Sequence, residues 1–119
     1  MRSEAPDVIA PDGSEVRILA HTVRGSMAEF SLPAGQVSIA VAHHTVEEVW
    51  FFTQGQGQMW RKMNEAETVI DIRPGLSISI PVGAHFQFRN TGTGVLRAIG
   101  TTMPPWPGMD EAYAVLGKW

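Results

Sequence analysis

Twelve glycines and eight prolines punctuate this 119-residue chain, and they leave room for little besides short strands. The breaks fall at Asp12-Gly13, Pro33-Ala34-Gly35, Gly55-Gln56-Gly57, Pro74-Gly75, Pro81-Val82-Gly83 and Thr91-Gly92-Thr93-Gly94. Glycine permits turn conformations closed to other residues, and proline ends a hydrogen-bonded ladder, so each break reads as a turn. The runs between them are rich in β-branched and aromatic residues. They predict strands near 15–20, 26–32, 36–44, 48–54, 57–63, 68–73, 76–80, 85–90 and 95–102. Many short strands at even spacing imply an all-β sandwich or barrel. Leu76-Ser77-Ile78-Ser79-Ile80 alternates strictly, and His85-Phe86-Gln87-Phe88-Arg89 alternates polar against aromatic, so each has one buried face. Before Pro104 no stretch carries a helical period. Met103-Pro104-Pro105-Trp106-Pro107-Gly108 reads as an extended strap leaving the barrel, followed by a short helix over 110–117 with Asp110 as its cap.

Composition narrows the function classes. With 44% hydrophobic and 18% charged residues the chain is an ordinary globular one, expected to form a single domain over 1–119 with its core at about 15–102. The net charge is −3, and Lys and Arg are scattered without a basic run, which argues against nucleic acid as a partner. No apolar run is long enough to span a membrane, and MRSEAPDVIAPDGSE lacks the apolar centre of a secretion signal, so the expected location is cytoplasmic. With no cysteine, there are no disulfides, thiolate metal sites or thiol nucleophiles. A bound metal would have to sit on His, Asp or Glu, which suits Fe, Mn, Ni, Cu or Zn.

The densest polar constellation is His43-His44-Thr45-Val46-Glu47-Glu48, running into the apolar strand Val49-Trp50-Phe51-Phe52. A tight bend after His44 would end one strand there and start the next at Glu48, close enough for the two side chains to share one ion or one proton. His44 and Glu48 are therefore the candidate catalytic pair. Trp50, Phe52 and Gln54 share the parity of Glu48 and are expected to line the same interior, opposite Phe86 and Phe88. Val49 and Phe51 then point outward and need cover, which predicts a homodimer.

The turn spacing resembles that of the cupin superfamily. Its first motif is Gly, five residues, His-x-His, three or four residues, Glu, six residues, Gly; this chain has Gly35, His43-His44, Glu48 and Gly55. Its second is Gly, five residues, Pro-x-Gly, two residues, His, three residues, Asn, matched by Gly75, Pro81, Gly83 and Asn90. The blocks HHTVEEVW, FQFRNTG and MPPWPG further resemble small, single-domain bacterial cupins without an assigned reaction. The resemblance implies a double-stranded β-helix, a jelly-roll-like barrel, around a small-molecule pocket.

It also implies a metal site of two His and a Glu from the first motif and a His from the second. Counting back three residues from Glu48 puts the first-motif positions at Ala42 and His44. Counting from Asn90 puts the last at Phe86, with His85 one residue early. Read literally, His44 and Glu48 remain of four donors, fewer than the three protein groups of a usual catalytic centre. A β-bulge turning His85 or His43 inward would restore a two-histidine, one-carboxylate set with Glu48. The leading expectation is a small-molecule-binding cupin with a degenerate or absent metal site. The alternatives are a metal-dependent oxygenase or isomerase acting on a small organic acid, sugar derivative or aromatic, and a non-catalytic sensor or accessory protein.

Overall fold

A computed structural model describes all 119 residues. Eleven strands follow one another: β1 (Val8–Ile9), β2 (Glu15–His21), β3 (Ser26–Leu32), β4 (Val41–His43), β5 (Glu47–Gln54), β6 (Gly57–Met63), β7 (Ala66–Ile72), β8 (Ser77–Ile80), β9 (His85–Asn90), β10 (Leu96–Met103) and β11 (Ala112–Ala114). They form two antiparallel sheets, in the orders β1-β2-β3-β10-β5-β8 and β11-β4-β9-β6-β7. The fold is the all-β double-stranded β-helix, with no helix other than one 3-10 turn.

Period-two patterning decides which side chains meet between the sheets. Along β5 the alternation is strict: Glu48, Trp50 and Phe52 are buried, while Val49 and Phe51 remain about half exposed on the outer face. Ile78 and Ile80 of β8 and Phe86 and Phe88 of β9 complete the packed layer with Met59, Ile72 and Leu96. Each fully buried side chain of this size contributes about 2–3 kcal/mol by leaving water. Gly100 lies between β3 and β5, where a Cβ would come within 2.5 Å of Phe30 Cε2. Its bare backbone leaves room for Trp50 to stack on Phe30, with ring centroids 4.7 Å apart.

Two expectations are corrected and one strand is added. The predicted strand over 36–44 is regular only at Val41–His43. Upstream, Ser38 ties the backbone to Phe88, receiving the Phe88 amide on its own hydroxyl, and Ile39 donates to the Asp12 carbonyl instead of to a ladder. The short segment Val8–Ile9 is paired, against Val16 and Glu15, around the Asp12-Gly13 turn. The helix over 110–117 is replaced by a 3-10 turn at Met109–Glu111 and the strand β11. Gly108, not Asp110, holds the capping position, and no side chain caps the turn. Long-range pairing wins over local propensity here: Ala112 pairs with His43, Tyr113 with Ala42 and Ala114 with Val41.

Candidate functional site

The β4–β5 connection, residues 44–46, determines which histidine faces inward. Glu111 reaches across and holds it, accepting from the Thr45 amide at 2.6 Å, the Val46 amide at 2.6 Å and the Thr45 hydroxyl at 2.9 Å. The His44 amide donates to the Glu111 carbonyl at 3.0 Å. Burial pushes the Glu111 carboxyl up, but these donors win and hold it below the ordinary carboxylate range.

That clamp turns His43 in and His44 out. His43 is buried with Glu48, and its Nδ1 stands 3.5 Å from Glu48 Oε1, too far for a hydrogen bond. Nδ1 has no other partner. His44 is exposed and lies against the Tyr113 ring, centroids 4.4 Å apart. The expected His44–Glu48 pair is therefore a His43–Glu48 pair. The connection is one residue longer than the three-residue count assumed. Counting five residues forward from Gly35 gives Val41 and His43 directly, with four residues then leading to Glu48. That forward count was the signal available in the sequence.

Glu48 is short of donors. The Trp50 indole N–H donates to its Oε2. Burial pushes its carboxyl up to about 7, the Trp50 bond opposes the rise, and the nearby charge of Asp12 adds to it. Burial also depresses the His43 pKa, with the Glu111 charge pulling the other way. Asp12 is buried in the β1–β2 turn, where burial raises its pKa against the Ser14 amide and hydroxyl that bond it.

Beside these groups lies a cavity of about 320 Å³, and fourteen of its 22 lining residues are hydrophobic. Trp50, Phe30, Phe86 and Trp106 supply aromatic wall, and Asp12, His43 and Glu48 are its acidic and imidazole groups away from His21 at the mouth. Trp106 comes from the proline-rich strap. Its backbone N–H donates to the Ser26 hydroxyl at 3.0 Å, and its ring meets His43 edge-on with centroids 5.1 Å apart. Asp12, His21 and Trp106 were not singled out from the sequence as site residues, because each approaches from a segment distant in the chain.

The other expected residues divide. Trp50 and Phe86 line the cavity; Phe52 and Phe88 are buried in the packed layer away from it. Gln54 is exposed at the end of β5 and accepts from Arg97 at 3.0 Å, because the strand has left the core by that point. His85 is half-buried, sits opposite Lys62 on β6 and does not line the cavity; no bulge turns it inward.

The residues present do not fit the metal centre that the resemblance implies. The four positions are Val41, His43, Glu48 and Phe86, and Val41 and Phe86 face each other as a cross-strand pair. Nowhere in the chain do three or more His, Asp or Glu side chains converge as a metal site requires.

Comparison with known proteins agrees with this architecture. The profile described as "Cupin domain" matches residues 28–101, more than half of the chain, and the protein belongs to that family. An uncharacterized protein of Methanocaldococcus jannaschii, MJ1618, is 29% identical over 107 residues, covering 86% of this chain and 82% of that one. A solved oxalate oxidase superposes with a TM-score of 0.77 at 20% identity, covering 94% of this chain and 60% of that one. CapF from Staphylococcus aureus, described as a capsular polysaccharide assembling protein, superposes with a TM-score of 0.75 at 16% identity. That match covers 97% of this chain and 34% of CapF, so the chain corresponds to about a third of that protein. The two structural likenesses concern the fold.

Proposed function

We propose that this protein is a small-molecule-binding cupin whose site is the cavity beside His43 and Glu48. One observation carries the reading: an interior space of about 320 Å³ has apolar and aromatic walls and a few convergent polar groups. That is the general form of a small-ligand site. A packed core would have closed such a space, and a buried carboxyl without its full set of donors is costly unless something else completes it. The bound molecule would place an apolar body against Trp50, Phe30 and Phe86 and a polar group at Glu48 and His43.

A fragment screen by ligand-observed NMR tests this, repeated on the Ala28→Phe variant, which fills the cavity from β3. Hits lost in the variant support the reading. No hits, or hits that survive the substitution, overturn it. We also propose that the chain works as a homodimer through the outer face of β5, where Val49 and Phe51 are 47% and 49% exposed.

A further inference from the structure

We propose that the ligand is a small organic amine with an apolar or aromatic body, its ammonium group seated between Glu48 and His43. The inference rests on the cavity being the binding site and goes further by naming the charge of what binds there.

The lining contains no Lys and no Arg. Its titratable groups are the carboxyls of Asp12 and Glu48 and the imidazoles of His43 and the exposed His21. An organic anion would meet two carboxyls and no fixed cation, at the full cost of its own desolvation. A cation meets the opposite situation.

Two acceptors are left open at one place. Glu48 Oε2 takes the Trp50 indole, while Oε1 has only the 3.5 Å approach of His43 Nδ1. That Nδ1 is buried and unpartnered. In the tautomer with its proton on Nε2, Nδ1 accepts. In that tautomer Oε1 and Nδ1 are two neighbouring acceptors 3.5 Å apart, a spacing that one ammonium nitrogen can serve. A hydroxyl has one proton to donate and can satisfy only one of them; an ammonium has enough for both. Trp50, Phe30, Phe86 and Trp106 line the cavity; a cation is attracted to the face of such a ring, and the apolar body packs against the rest.

The test uses three probes of one skeleton, benzylamine, benzyl alcohol and benzoate, titrated calorimetrically into the intact protein. Wild type is expected to bind benzylamine at millimolar strength, as suits a fragment of that size. Benzyl alcohol should bind at least tenfold more weakly and benzoate not measurably. Glu48→Gln should weaken benzylamine at least tenfold and leave benzyl alcohol unchanged. Benzoate or benzyl alcohol binding as well as benzylamine, or Glu48→Gln leaving benzylamine unaffected, overturns the amine assignment while the cavity reading stands. Failure of all three probes, or binding that persists in Ala28→Phe, overturns both. Should Glu48→Gln not fold, the order of the three probes on wild type decides the matter alone.

Discussion

Glu48 and Glu111 flank the same short connection, both buried, and they are opposites. Glu111 accepts from two backbone amides and a hydroxyl, and its carboxyl is held below the ordinary range. Glu48 accepts from one indole and is pushed up to about 7. One carboxylate is complete within the protein; the other is left for something outside it. A buried polar group with all its partners belongs to the scaffold, and one without them is where a ligand has something to gain.

The contrast can be broken most forcefully at Glu111. Glu111→Ala strands the Thr45 and Val46 amides and should cost about 3 kcal/mol in urea unfolding. It should also loosen the 44–46 connection, which hydrogen exchange at the Val46 amide would report. A loss under about 1 kcal/mol would mean that water replaces the carboxylate and that the clamp is incidental.

Glu48→Gln should act in the other direction. The Glu48 carboxyl ionises at about 7 in the folded protein against an ordinary value of 4.5. Between those values the folded protein holds more protons than the unfolded chain, so this contribution to stability falls as pH rises, by about 3 kcal/mol in all. His43 works oppositely: with its pKa depressed from 6.5, the folded protein holds fewer protons below that value, and its contribution rises with pH up to there. The difference between variant and wild type isolates Glu48. Urea titrations should show Glu48→Gln gaining on wild type by about 3 kcal/mol from about pH 5 to about pH 8. An unchanging difference would show that Glu48 is satisfied after all.

Phe86→His sharpens the comparison by adding a third donor beside Glu48 and His43. It should destabilise the protein by roughly 2 kcal/mol, since a buried aromatic is lost. It should also take up one equivalent of zinc or nickel by metal analysis, with Glu48→Gln reversing the uptake. Wild type exposed to the same metal and desalted should retain far less. The smallest stability change belongs to Val49→Ser with Phe51→Ser, which touches neither glutamate and should shift monomer stability by about 0.5 kcal/mol or less. Light scattering should show a dimer for wild type and a monomer for this double variant; a monomeric wild type refutes the dimer.

Much of the barrel was legible in the sequence because it depends on local chemistry. The alternation of Leu76–Ile80 assigned the buried side of β8, and that of His85–Arg89 placed Phe86 and Phe88 inside; it missed that Gln87 is buried too, on the other face, where Ser38 and the backbone of Lys118 and Trp119 cover and bond it. The site was legible only to within one residue. His43 and His44 are adjacent and identical, and the length of a bend decides between them; that length is set by Glu111, a side chain 66 positions beyond Thr45. Tyr113 and its neighbours lack a decisive local pattern, and only pairing with β4 makes them a strand. Asp12 and Trp106 reach the cavity from opposite parts of the chain, where no spacing rule links them.

The place of β10 between β3 and β5 has a consequence for how the protein comes into being. Gly100 pairs with Ala28 on one side and Trp50 on the other, so the six-stranded sheet has no middle until residues 96–103 have been made. Up to that moment a nascent chain carries two strand edges with no common neighbour, and the stack of Phe30 on Trp50 has nothing to hold its halves together. Closure joins segments far apart in sequence, which places folding of such a topology in the slow, millisecond-to-second class. The cavity wall also draws on Trp106 and Ala112, so it is not complete until those residues have followed β10. A ligand for that cavity therefore needs a chain made at least as far as Ala112.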